Sequence, residues 1–348
     1  MNVMLDERKK QILLAIIQDY IATAEPIGSR TIARKYKLGV SPATIRNEMA
    51  DLEELGYIEQ PHTSAGRVPS DLGYRYYVDC LMKKSKLTKN EKDAITRGLA
   101  TRVNEVAQVI EQTNRILSSL TNYTTVVLGP NTGGAIKHVQ IIPLEGGKAL
   151  VVVVTSVGVV RNRMIDIAES LTPADLEHIS RVLNAKLQGL TLESIKMTLI
   201  REIYSELAKN EHIFDAAMDL LQGTLDLNSE EKVYLAGTLN IFNQPEFRDI
   251  NKVKTLLSLL EQDSLLRNLL KESSKNEAGV TIKIGGENEL EGFKECSMIT
   301  ASYQIEGEVV GAIGLIGPTR MHYDKAVAMV EFVTQYLSEV LHDYYKKR

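Results

Sequence analysis

Apolar residues recur at helical spacing through most of the first 120 positions. Ile12, Ile16, Ile17 and Tyr20 predict a helix over residues 7–23, closed before Pro26 and Gly28. A short helix over 29–37 follows, with Ser29 in N-cap position and Gly39 beyond its end. Ser41-Pro42 then opens a third helix. Serine suits the cap, and proline loses nothing at the first helical position. In that helix Ile45, Met49, Leu52 and Leu55 fall at steps of four, three and three on one face, and Gly56 closes it. Residues 57–60 and 66–68 alternate as short strands about a loop from Pro61 to Gly66. The order is helix, helix, helix, hairpin.

A tyrosine-rich connector over 73–86 leads to a long amphipathic helix over 90–120, with Ile95, Leu99, Val103, Val106, Ile110, Leu117 and Leu120 as its seam. The texture then changes to strands over 124–129, 136–143, 148–155 and 158–165. Helices follow from Thr172-Pro173 to Gly189, from Thr191 along Leu192, Ile195, Leu199, Ile203 and Leu207, and over 213–222. A further strand is expected over 232–242 and helices over 251–272. Strands return over 280–284, 297–305 and 309–316, and a last helix carries Val327, Val330, Val333, Leu337, Val340 and Tyr344. Two strand blocks separated by helices read as one α/β domain with an insertion, or as two consecutive α/β domains.

Composition narrows the class. The 348 residues are 44% hydrophobic and 25% charged, ordinary for a globular chain of two or three domains. Net charge is −4, which by itself mildly opposes nucleic-acid binding. Locally the balance reverses: between Ile27 and Met49 stand Arg30, Arg34, Lys35, Lys37 and Arg46 against one acid, Glu48. Such an island attracts phosphate. The two cysteines have no metal or redox spacing and fit a reducing cytoplasm. No signal core is seen, and the most apolar stretch, 149–160, is too short to span a bilayer.

The third helix carries the strongest candidate chemistry. Ser41, Ala43, Thr44, Arg46 and Asn47 lie at its start, off the apolar face, where a recognition helix presents side chains to a major groove. Arginine can bond guanine, and asparagine adenine, through two hydrogen bonds each. Glu48, Asp51, Glu53 and Glu54 on the same helix would repel phosphate unless that part points out of the groove. The bland alternative is a capped surface helix with Arg46 and Asn47 merely solvated. Arg30, Arg34 and Lys35 suit phosphate contact, while His62, Thr63 and Arg67 sit where a wing would meet backbone or minor groove.

Enzyme signatures are weak. The glycine-rich 129–134 lacks the Lys-Ser/Thr of a phosphate loop. His138, His178, His212, His322 and His342 form no ligand pair, so no metal or cofactor is expected. A ligand-sensing repressor, with strands at 151–160 lining a pocket, is a second reading beside a filled core.

The segments LGYI, PHTSAGR and GYRYYVD, with EPIGSRTIARKY and SPATIRNEMADLE upstream, closely resemble the HrcA heat-inducible transcription repressors, most specifically over residues 5–80. The resemblance implies an α+β multidomain chain: a winged helix-turn-helix at 1–80, a linker and long helix at 81–122, a GAF-like α/β domain at 123–168 and 229–348, and an inserted, mostly helical dimerisation domain at 169–228. It implies a cytoplasmic, non-enzymatic homodimer that binds double-stranded DNA at the CIRCE inverted repeat. It further implies repression of groE- and dnaK-type chaperone operons with help from the chaperonin GroEL, whose contacts map to no named residue. The helix from Ser41 would read the half-site, and the loop about Arg67 would be the wing.

Overall fold

The structure is a computed structural model. It describes residues 5–346 apart from 63–64, 100–105, 131–134, 157–159, 168–170, 191–194, 196, 208–231, 275–278 and 306.

The chain begins with α1 (Glu7–Thr23), α2 (Ser29–Tyr36) and α3 (Pro42–Glu54), then β1 (Ile58–Glu59) and β2 (Val68–Pro69). Asp6 caps α1 by accepting the Lys9 N–H at 2.8 Å, and Ser41 caps α3 by accepting that of Thr44 at 3.1 Å. Ile45, Met49 and Leu52 are buried as their spacing requires, together with Ile12, Leu13, Ile16 and Ile17 of α1, whereas Leu55, expected on the same face, is the C-cap of α3 and is exposed. The β1–β2 ladder is antiparallel, with Ile58 opposite Pro69. The connector is helical: α4 (Asp71–Tyr76), capped by Ser70, runs into a π-helical turn (Tyr77–Leu81).

The expected helix over 90–120 is seen as α5 (Lys89–Leu99) and α6 (Val106–Thr121), and 100–105 lie outside the described residues. Next come β3 (Thr124–Leu128), β4 (Ile136–Leu144), β5 (Lys148–Thr155), β6 (Val160–Asp166), α7 (Pro173–Leu187) and α8 (Met197–Leu207). The helix expected over 213–222 falls outside the described residues. Then follow β7 (Val233–Ala236), α9 (Ile250–Leu260), α10 (Asp263–Ser274), β8 (Val280–Ile284), β9 (Cys296–Ile305), β10 (Glu308–Pro318) and α11 (Tyr323–Lys346). The strand expected over 232–242 stops at Ala236. Gly237 turns the backbone left-handed, and a 3-10 helix takes over at Thr238–Asn243.

The two strand blocks do not share one sheet. β3 joins β7, β8, β9 and β10 in the order β7-β3-β10-β9-β8. β4, β5 and β6 form a separate sheet, antiparallel throughout. Its core is its own: Val139, Ile141, Val151 and Val153 meet Leu176, Ile179 and Leu183 of α7 and Ile203 and Leu207 of α8. Asn184 closes the β4 edge, accepting the Val139 N–H at 2.8 Å and donating to the Val139 carbonyl at 2.6 Å. Residues 128–232, with 304–311 and 338–348, belong to one compact unit, and the winged helix belongs to the other with β7, β8 and most of β9 and β10.

Candidate nucleic-acid interface

In α3 the buried face turns Ala43, Arg46 and Asn47 outward, all exposed. Among the described residues the side chains of Arg46 and Asn47 have no hydrogen-bond or ion-pair partner, so both stay available to a ligand. Thr44 is half-buried, and its hydroxyl lies 2.9 Å from that of Ser41. The Ser41 oxygen therefore already serves the helix end, and its use toward DNA competes with capping.

The wing is tied to the helical core by backbone. Ile27 and Arg67 exchange N–H···O bonds of 3.0 and 2.9 Å, adding a third strand position to the hairpin. Gly66 makes this approach possible: a Cβ there would stand 2.5 Å from the Ile27 carbonyl. The result is a cleft of about 520 Å³ between α2, α3 and the wing, with Arg30, Arg46 and Arg67 among its lining residues.

Three of the four acids that opposed phosphate binding are occupied, while Glu54 is exposed and has no ion pair among the described residues. The Lys9 ammonium lies 2.8 Å from Glu48 and 3.0 Å from Asp51, and Arg8 lies 3.4 Å from Glu48. Hydrogen bonds donated to Glu48, then to Asp51, hold that ammonium well above the usual lysine range. Glu53 takes Arg67, with Nη2 at 2.7 Å and Nε at 2.9 Å. Sequence reading finds none of these partners, because Lys9 and Glu48 stand 39 residues apart and no local pattern links them.

The other expected contacts divide. Arg30 and Arg34 are exposed and unpaired among the described residues. Lys35 is drawn to the buried carboxylate of Asp19, which also accepts from the Tyr36 hydroxyl at 3.3 Å. His62 is exposed, and its carbonyl accepts the Ala65 N–H at 2.8 Å. Thr63 lies outside the described residues. Among the described residues no group of three or more His, Cys, Asp or Glu is placed to hold a metal ion, and no helix is long and apolar enough to cross a membrane.

The geometry agrees with what the chain is similar to. Residues 4–77 match the winged helix-turn-helix transcription repressor, HrcA DNA-binding domain, and residues 107–327 match the HrcA protein C-terminal domain. The chain is 58% identical over 338 residues to the heat-inducible transcription repressor HrcA of Pelotomaculum thermopropionicum, covering 97% of each. With those of Desulforamulus reducens and Moorella thermoacetica it shares 53% and 51% identity, covering 97% and 98% of this chain and 97% and 99% of theirs. Among solved structures, a crystal structure described as a hypothetical protein aligns with a TM-score of 0.63 at 25% identity, over 98% of this chain and 99% of its own.

Proposed function

The chain belongs to the HrcA family, and on that premise we propose how this heat-inducible transcription repressor uses its winged-helix DNA-binding domain. Arg46 and Asn47, with Ser41, Ala43 and Thr44, read base edges of an operator half-site in the major groove. Arg30 and Arg34 hold flanking phosphates, and Lys35 adds a weaker charge shared with Asp19. His62, Thr63 and Arg67 bring the wing to backbone or minor groove. The single observation that carries this reading is the cleft where Arg30, Arg46 and Arg67 converge, while Glu48 and Asp51 of α3 are paired with Lys9 and Glu53 with Arg67.

The operator is the CIRCE inverted repeat upstream of groE- and dnaK-type chaperone operons. A two-fold repeat is matched by a two-fold protein, so the repressor acts as a homodimer in the cytoplasm, at the nucleoid when on its operator. The GAF-like sheet is β7-β3-β10-β9-β8. The inserted dimerisation domain, expected at 169–228, is extended to residues 129–232, because β4 to β6 form a sheet apart from the five-stranded one. Activity depends on GroEL, which supports the active fold, and repression lapses when heat diverts the chaperonin. No enzymatic reaction is assigned.

A gel shift at fixed salt, comparing the inverted repeat with scrambled duplex, with and without chaperonin, tests the proposal. Selective retention that chaperonin enhances supports it. Equal retention of both duplexes overturns the operator assignment, and retention indifferent to chaperonin overturns that dependence.

A further inference from the structure

We propose that the five-stranded α/β domain binds a small zwitterion with an apolar tail, of the free α-amino acid class, and that the winged helix senses its occupancy through β8. Of the strands at 151–160 first suspected of lining a pocket, Val151 and Val153 are packed in the core of the separate three-stranded unit. A cavity of about 330 Å³ lies instead between α10 and the β8–β9 edge, near the lower end of the ~300–1,000 Å³ typical of small-molecule sites.

Its walls suit one kind of ligand. Leu265 and Leu269 of α10, Phe293 and Met298 supply apolar surface. Lys283 and Met298 are register partners on the antiparallel ladder, so their side chains leave the same face of the sheet. Lys283 has no ion pair among the described residues. Glu272 from α10 and Glu289 from the following loop line the same cavity, with the Asn268 amide between the two kinds of charge in character. An anion would meet two carboxylates, and a simple cation would meet the lysine. A ligand carrying both charges satisfies both walls and buries its tail on the leucines.

The same segment grips the DNA-binding domain. Arg75 of α4 donates to the Ile282 carbonyl at 2.6 Å and chelates the Glu287 carboxylate, and Asp71 accepts the Gly286 N–H at 2.7 Å. Ile282, Gly286 and Glu287 thus hold the winged helix, while Lys283 and Glu289 beside them face the cavity. The buried Asn288 amide donates to the carbonyls of Gly285, Phe293 and Cys296 at 3.0, 3.1 and 2.9 Å, which sews this loop into one body. A displacement at Lys283 is therefore transmitted to Arg75.

Ligand binding stands apart from the operator reading; the coupling to DNA rests on it. The full chain is titrated without DNA by calorimetry with L-leucine, L-methionine and L-phenylalanine, and with 4-methylpentanoate and isoamylamine as single-charge analogues of leucine. Saturable binding of at least one amino acid is expected, weaker by about tenfold or more for both analogues and in Lys283→Met and Leu269→Trp. Binding by none of the three amino acids overturns the site. Equal binding of either analogue, or of Lys283→Met, overturns the zwitterion class. Operator affinity is then measured with and without the bound amino acid: a several-fold change supports the coupling, and an unchanged affinity overturns it while leaving the site.

Discussion

Glu53 of the reading helix and Arg67 of the wing share one carboxylate oxygen, Oε2, which lies 2.7 Å from Nη2 and 2.9 Å from Nε. One contact thus sets the angle between the two elements that would grip DNA and also lowers the free charge of the wing. Glu53→Gln keeps the size of the side chain and removes its charge. We expect affinity for scrambled duplex to rise, because the Arg67 charge loses its carboxylate partner, and preference for the inverted repeat to fall. Gel shifts at fixed salt read both. An unaltered ratio between the duplexes would deny the pair any role in positioning.

Arg46 and Arg34 separate base reading from phosphate holding. Arg46→Ala is expected to weaken specific binding by ~1–3 kcal/mol and relax one base preference. Arg34→Ala, at the exposed end of α2, should weaken binding to any duplex and lower the salt slope by about one. A salt titration on both duplexes distinguishes the outcomes. Wild-type behaviour in both variants would remove α3 and α2 from the interface.

Lys9 neutralises Glu48 and Asp51 from behind the reading helix, and its side chain is only 18% exposed. Lys9→Met leaves Asp51 without its partner and Glu48 with only Arg8 at 3.4 Å. The expected cost is about 1 kcal/mol in chemical denaturation, from loss of the ammonium that joins Asp6, Glu48 and Asp51. Operator binding should weaken as well, because both acids then repel the duplex. A variant as stable as the parent and equally retained on DNA would show the network to be incidental.

Most of the described helices and strands and the outward face of α3 were legible in the sequence because they follow from period, caps and turns, whereas α4 was read only as a connector. Ser41-Pro42 and the steps among Ile45, Met49 and Leu52 needed no tertiary information. The division into sheets was not legible. β3 and β4 are both apolar strands near in sequence, and nothing in their periodicity says that one pairs into the five-stranded sheet and the other with β5. The charge pairing at the candidate site was hidden for the same reason: Lys9–Glu48, Glu53–Arg67 and Lys35–Asp19 join different elements. Glu48, Asp51 and Glu53 read as repulsive only when their partners are unknown.

Acid should loosen the hold of β8 on the winged helix. Burial pushes the Glu287 carboxyl up, but the Arg75 hydrogen bonds and the Ile284 N–H outweigh it and hold the group below the usual range. A folded value below the unfolded one contributes stability above the unfolded pKa, and that stability is lost as pH falls through the folded value. Melting temperature should therefore fall below pH about 4.3, and less steeply in Glu287→Gln than in the parent. Parallel pH profiles for the two proteins would mean that Glu287 titrates alike in both states.

Two tyrosines in contact make opposite predictions. The rings of Tyr74 and Tyr323 lie 5.8 Å apart, and each is almost wholly buried. The Tyr323 hydroxyl donates to the Thr319 carbonyl at 2.6 Å and lies 2.6 Å from the Ser297 hydroxyl. That of Tyr74 has no partner among the described residues. A buried hydroxyl left unpaired costs free energy that phenylalanine does not incur. Tyr74→Phe should therefore stabilise the fold by up to about 1 kcal/mol, whereas Tyr323→Phe strands two polar groups and should cost about 1–3 kcal/mol. Urea denaturation of both variants measures the difference. A destabilised Tyr74→Phe would mean that this hydroxyl is hydrogen-bonded in solution, to an ordered water or to a neighbour that moves toward it.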